Sequence, residues 1–309
     1  MRRSPRGGFI ARMQIAIVSR SPSPTTLALA AVRVRGLELV PMTPIEAASS
    51  LGPGDVALGR LDVRPTLDGV EDGLWALGVL AARGVTALNA PSTLLTTHDK
   101  LLTARVLRRA GLPHPLTRHA HGERQYDMPA PPVVVKPRHG SWGRHVTLCE
   151  NGDELAAALE RFRDEGWYVE HGALVQELIP PTGSDLRLVV AGGRVVGAVR
   201  RVAAEGEWRT NVALGAERVP VDPPLAAVQL ALAAARATSA ALVGVDLLPT
   251  PDGSFTILEL NGAVDFTAEY RPDGDVYRET ALELARAALD ASADDGLCET
   301  AIDALSPLT

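Results

Sequence analysis

From residue 14 the chain alternates short apolar runs with stretches in which apolar positions recur every three to four residues, the two periods that separate strands from helices. Residues 14–18, 37–40, 55–58 and 86–88 read as strands, and 24–34 and 73–83 between them as helices. Strands separated by helices imply a mostly parallel sheet and an α/β fold. The segment after the first strand is Ser19-Arg20-Ser21-Pro22-Ser23-Pro24, which lacks the Gly-x-Gly-x-x-Gly of a dinucleotide-binding turn.

From Asn89 the pattern changes. Pro91-Ser92-Thr93 opens a short helix, and Thr97-His98-Asp99-Lys100 begins a longer one that stops at Gly111 ahead of Pro113. Residues 114–132, rich in Pro and His, read as a linker in which His119 and His121 are solvated. A strand over 133–136, a glycine-bearing loop, a strand over 146–149 and a helix capped around Asn151 to Asp153 that runs to Arg163 follow. Strands dominate 174–199, an Ala-rich helix covers 225–240, a hairpin spans 243–260 and a helix 276–289. The chain thus divides into a disordered extension (1–12, with Met13 an alternative start), an N-terminal α/β subdomain (13–88), a larger unit (89–290) and a flexible acidic tail (291–309).

Composition narrows the function classes. With 309 residues, 46% hydrophobic and 22% charged, the chain can bury one sizeable core or two to three small ones. A net charge of -6 and 4% aromatic residues argue against nucleic acid, which is held by cationic grooves and aromatic platforms. No uncharged apolar stretch reaches the ~18 residues that span a bilayer, so no membrane role is indicated. Cys149 and Cys298 are too few for a disulfide framework or a Cys-based zinc site and suit a reducing cytoplasm. Among 31 basic residues only Lys100 and Lys136 are lysines, which singles them out, because an ammonium and a guanidinium are not interchangeable at a tight phosphate site.

Three constellations carry chemistry. Val133-Val134-Val135-Lys136-Pro137-Arg138-His139-Gly140-Ser141-Trp142-Gly143 places a glycine-bearing loop between two strands, either an ordinary hairpin or a flap whose backbone N–H groups approach a triphosphate with Lys136 beside it. In the hairpin, a four-residue loop over Pro251 to Ser254 sets Thr250 against Phe255 and therefore Asp246 opposite Glu259, with Asn261 on the same face. Three oxygen-bearing side chains on one face of apolar strands suit Mg²⁺, which takes one or two carboxylates and completes its shell with phosphates and water. The third, Leu174-Val175-Gln176-Glu177-Leu178-Ile179-Pro180-Pro181 followed by Ser184-Asp185-Leu186-Arg187, is an apolar strand with a Pro-Pro end that can offer its edge to a base.

In this order the three pieces resemble the ATP-grasp superfamily, and within it the RimK-type ligases, over roughly 89–270. The resemblance is carried by Lys136-Pro137 with Gly140-Ser141-x-Gly143, Gln176-Glu177-x-Ile179, Ser184-Asp185-x-Arg187, Glu207-Trp208-Arg209-Thr210-Asn211 and Glu259-x-Asn261. It implies an ATP-grasp fold, an N-terminal α/β subdomain followed by two α+β subdomains clamping ATP. It implies Lys100 and Lys136 on the phosphates, Gly140, Ser141 and Gly143 in the flap, Gln176, Glu177, Leu178 and Ile179 beside the adenine, and Asp185 near the ribose. Asp246, Glu259 and Asn261 would bind Mg²⁺, or Mn²⁺ in its place, and Arg187, Arg200, Arg209 and Asn211 would line the junction of nucleotide and carboxylate substrate. Arg60 and Arg64 read either as substrate contacts or, more simply, as two surface arginines.

The activity implied is ATP-dependent carboxylate–amine ligation through an acyl phosphate, adding glutamate or a related amino acid to a protein, peptide or small-molecule acceptor. Joining of two free small molecules, as in glutathione synthetase or D-alanine–D-alanine ligase, and a non-catalytic ATP-binding regulator are the alternatives; a homo-oligomer is compatible with each. The chain departs from the family's pattern at Leu214, where an arginine is usual, and at Gly262-Ala263-Val264-Asp265-Phe266 after Asn261.

Overall fold

The computed structural model describes residues 13–121 and 128–294. The alternation at the start of the chain becomes β1 (Met13–Val18), α1 (Pro24–Ala31), β2 (Leu37–Met42), α2 (Pro44–Ser50), β3 (Val56–Gly59), α3 (Leu74–Ala82) and β4 (Thr86–Leu88). The strands pair in parallel in the order β2-β1-β3-β4. Apolar periodicity leaves α2 unassigned, and a capping box makes it: the Thr43 hydroxyl accepts from the Glu46 N–H while the Glu46 carboxylate accepts from the Thr43 N–H.

Next come α4 (Pro91–His98), α5 (Lys100–Arg109), β5 (Thr117–Ala120), β6 (Val133–Pro137), β7 (Thr147–Cys149), α6 (Gly152–Phe162), α7 (Gly166–His171) and β8 (Ala173–Glu177). They are followed by β9 (Ser184–Ala191), β10 (Arg194–Val202), β11 (Glu217–Pro220), α8 (Leu225–Ala237), β12 (Leu242–Pro249), β13 (Phe255–Asn261) and α9 (Val276–Asp294). Two antiparallel sheets result, one ordered β5-β8-β6-β7 and the other β11-β10-β9-β12-β13.

Three expectations change. The supposed linker contains β5, which pairs along its length with β8, Thr117 opposite Gln176 and Ala120 opposite Ala173. His119 there is half-buried, with Nε2 2.6 Å from the His171 carbonyl, whereas His121 is exposed. The tail expected from residue 291 is helical as far as Asp294; the rest of it, and the extension 1–12, lie outside the described residues.

The five-stranded sheet is apolar on one face and divided on the other. Leu186, Leu188, Val190, Ala198, Val243, Val245 and Leu247 pack beneath the alanines of α8. On the opposite face Val189, Ala191, Val199 and Leu242 join Ile15, Ile17 and Leu58 of the parallel sheet and Leu284 and Ala288 of α9 in a single core. Beyond Val189 that same face turns polar, and the candidate site lies there.

Candidate active site

Strand register assembles the polar end of this face. Side chains two apart on a strand, and those directly opposite on a neighbour, share a face. β10 pairs with β9 so that Val199 faces Arg187 and Arg201 faces Asp185, while β12 sets Asp246 opposite Arg187, and β13 sets Glu259 opposite Asp246. Asp185, Arg187, Arg201, Asp246 and Glu259 therefore converge from four adjacent strands. The Asp246–Glu259 pairing expected from the sequence is present but reached differently. The turn is one residue longer than expected, pairing Pro249 with Phe255, and a bulge beyond Leu247 and Ile257 restores the facing.

The carboxylates and arginines are tightly paired. Arg187 donates from Nε and Nη2 to the two oxygens of Asp246, each at 2.6 Å, and Arg201 Nη2 lies 2.9 Å from Asp246 Oδ2. Arg201 also forms a two-pronged pair with Asp185, whose Oδ2 accepts from the Thr210 hydroxyl at 2.6 Å. The two guanidinium groups hold the buried Asp246 carboxyl far below the ordinary carboxylate range, against burial, which alone would raise it. Asp185, which the resemblance sets near the ribose, is buried here and anchors Arg201. Arg200 is corrected: it is exposed and on the other face of β10, because the strand bulges between Val195 and Gly197 and so turns Arg201 inward.

Glu259 is less committed, with Oε2 3.3 Å from the Lys100 ammonium and Oε1 3.8 Å from Arg187. Asn261 adds a buried Nδ2 that has no hydrogen-bond partner among the described residues. Lys100 reaches this point because Asp99 separates the short α4 from the longer α5, which starts within the Thr97–Lys100 segment expected to begin it. The Asp99 carboxylate caps α5 at Leu101 N and Leu102 N and accepts from Arg138 Nε, which ties the helix start to the loop after β6. Lys100 Nζ then donates to Gly140 O.

The facing wall comes from the other antiparallel sheet. Lys136 is 5% exposed, and its ammonium donates to Gln176 Oε1 at 2.7 Å. Burial, with Lys100 nearby and only Glu259 opposing, lowers its pKa from 10.5 to about 8. Gln176 also lines the cleft, where it is buried and its Oε1 accepts from Lys136. Glu177, Leu178 and Ile179 follow it along the cleft, and Glu177 pairs with the Leu116 backbone in both directions. Gly140, Ser141 and Gly143 also line it, the last at φ 71° with no room for a side chain: a Cβ would fall 2.8 Å from Asn211 Oδ1 and 3.0 Å from Leu214. Arg209 fastens the flap, donating to Gly143 O at 3.1 Å while paired with Glu207, and both Arg209 and Asn211 line the cleft. That pairing lowers the Glu207 carboxyl to about 2.

Arg60 is not a surface residue. It is 4% exposed and donates to Thr26 Oγ1, Val264 O and Asp265 Oδ1, riveting the end of β3 to the loop after Asn261. Arg64 is partly exposed and paired with Asp72 at 2.7 Å, away from the cleft lining. Arg201, Thr210, Thr117 and His114 are site-associated residues that sequence reasoning missed.

Two antiparallel sheets closing on a cleft of lysines, arginines and carboxylates, behind a parallel N-terminal sheet, define the class: an ATP-dependent carboxylate–amine ligase of the ATP-grasp type. The chain belongs to the RimK-like ATP-grasp family, whose domain model matches residues 97–275. It is 32% identical over 232 residues to a glutamate–LysW ligase of Sulfurisphaera tokodaii, covering 72% of this chain and 80% of that protein. To a probable alpha-L-glutamate ligase of Xanthomonas oryzae pv. oryzae it is 34% identical over 197 residues, 61% of this chain and 64% of that one. In fold it is similar to the D-alanine–D-alanine ligase of Bacillus anthracis complexed with ATP, with a TM-score of 0.67 at 18% identity, covering 92% of this chain and 100% of that chain.

Proposed function

We propose that this chain binds Mg²⁺-ATP in the cleft, converts a carboxylate to its acyl phosphate and passes the acyl group to an amine, joining glutamate or a related amino acid to a protein, peptide or carrier acceptor in the cytoplasm. The observation that carries the reading is the opposition of two walls: Lys136 on one side, Glu259 with Lys100 beside it on the other, with the glycine flap lining the same cleft. A carboxylate is a poor electrophile because its leaving group would be oxide, and phosphorylation supplies a better one. Buried cations stabilise the charge that moves during that transfer.

The donor set fits a hard divalent cation that shares its shell with phosphates. Glu259 is loosely held and Asn261 lies two residues on along the same face of β13, so these two would hold the metal through a carboxylate and an amide oxygen. Asp246, with both oxygens on Arg187 and Arg201, would join only by exchanging one of them. Bound there, Mg²⁺ would supply charge neutralisation across the terminal phosphates. Lys136 and Lys100 bind and orient the triphosphate, the flap N–H groups cover it, and Arg187 is placed to steady the developing acyl phosphate. This chemistry requires no side-chain nucleophile.

The reading is tested by Mg²⁺-ATP-dependent ADP release in the presence of each amino acid, with and without a cell extract as acceptor source. Release that depends on one amino acid is expected, with Lys136→Ala and Glu259→Ala inactive while folded by circular dichroism. Full turnover in both variants would overturn it.

A further inference from the structure

Lys136 does not stand alone in its wall. Gln176 accepts from its ammonium through Oε1, and the same amide donates from Nε2 to Thr117 Oγ1 at 2.8 Å, with His114 Nε2 at 3.4 Å. Thr117 spends its own proton on Pro115 O at 2.9 Å, so towards Gln176 it acts as an acceptor. His114 Nδ1 lies 2.8 Å from Ile257 O, a carbonyl that can only accept, which puts the imidazole proton on Nδ1 and leaves Nε2 as an acceptor. Burial and Lys136 keep His114 neutral, lowering its pKa to about 4. Every group thus fixes the next, and the Gln176 amide has one orientation, oxygen towards Lys136.

The chain of bonds also crosses the cleft. Lys136 is on β6 and Gln176 on β8, in one antiparallel sheet, while Ile257 is on β13 in the other, two residues before Glu259. The Ile257 N–H returns a bond to Pro113 O at 3.0 Å, so the strap is held at both ends. From these contacts we infer that His114 and Thr117, acting through Gln176, are positioning residues that aim the Lys136 ammonium at the phosphates and fix it relative to Glu259 on the opposite wall. This rests on the ATP-ligase reading above and assigns Gln176 a task other than base recognition.

The test is Mg²⁺-ATP binding by isothermal titration calorimetry, without amino acid, beside steady-state kinetics. Losing one neutral hydrogen bond and leaving its partner buried is worth about five- to tenfold in an equilibrium. His114→Leu and Thr117→Val are therefore expected to weaken ATP binding about that much, raising KM for ATP more than they lower kcat. His114→Gln, whose Oε1 restores the acceptor, and Thr117→Ser return most of the affinity. Gln176→Glu separates aiming from mere packing: a carboxylate against Lys136 keeps the ammonium charged to higher pH and shifts the alkaline loss of ATP binding upward by about one unit. The charged groups facing Lys136 are Lys100 and Glu259, and neither is altered by that variant. Wild-type affinity in both His114→Leu and Thr117→Val, or an unmoved alkaline limb in Gln176→Glu, would overturn the inference while leaving the ligase reading intact. A wild-type protein that does not bind Mg²⁺-ATP would overturn both.

Discussion

Arg201 binds two carboxylates on strands that flank one another, Asp185 on β9 and Asp246 on β12. One guanidinium thereby neutralises charge from two strands in a setting where all three side chains are at most 4% exposed. The polar floor of the cleft is consequently held together by the protein's own side chains. It holds Arg187, through Asp246, with its remaining reach towards Glu259.

Removing Arg201 leaves two buried carboxylates short of a partner, a loss that typically costs about 3–5 kcal/mol. Arg201→Met is expected to lower stability by that order in urea denaturation and to abolish ADP release. Arg200→Ala, one residue away on the exposed face, should leave stability and activity within error of wild type.

Lys136 contributes to stability with a definite sign. The unfolded lysine holds its proton to about 10.5 and the folded one to about 8, so between these values the unfolded chain binds more protons and stability rises with pH. Below pH 8 the full penalty applies, on the order of 3 kcal/mol. In denaturation curves across pH 7–10, wild type should gain stability relative to Lys136→Met, which lacks the titrating group; parallel profiles for the two proteins would refute the assignment.

Gly143→Ala introduces a methyl group that would sit 2.8 Å from Asn211 Oδ1, at a backbone angle that costs a side chain about 1–2 kcal/mol. The flap would have to leave its seat against Arg209 and Asn211. We expect kcat/KM for ATP to fall tenfold or more, roughly 1.4 kcal/mol, with an unchanged circular dichroism spectrum, because the strain falls on a loop rather than on the core.

Arg60→Met releases the loop that follows Asn261. Hydrogen bonds from a charged donor are worth about 1.5–3 kcal/mol, and stability should drop by about that amount. Because the loop begins one residue after Asn261, the Mg²⁺ concentration for half-maximal ADP release should rise as well, a shift that a purely distal destabilisation would not produce.

The scarcity of lysine made Lys100 and Lys136 legible, and hairpin counting made the Asp246–Glu259 pair legible. What escaped turns on one bulge and one hidden strand. Counting back from the Gly192-Gly193 turn without a bulge sets Arg200 opposite Asp185, and the extra residue beyond Val195 exchanges it for Arg201. In the β12–β13 pair the opposite happened: a longer turn and a bulge cancelled, so the pairing was correct although the turn was not. β5 was hidden because four residues flanked by Pro and His carry little strand pattern, and with it went Thr117 and the role of Gln176. No local signal in the sequence marks a bulge, since it is set by packing against the neighbouring strands.

The core shared by β1, β3, β9, β12 and α9 has a practical consequence for anyone comparing or engineering these ligases. Segment 13–88 has one face of its sheet completed by a helix that lies nearly two hundred residues later in the chain. Exchanging this segment between relatives is expected to yield misassembled chimaeras unless α9 travels with it, and the natural unit of exchange is therefore discontinuous.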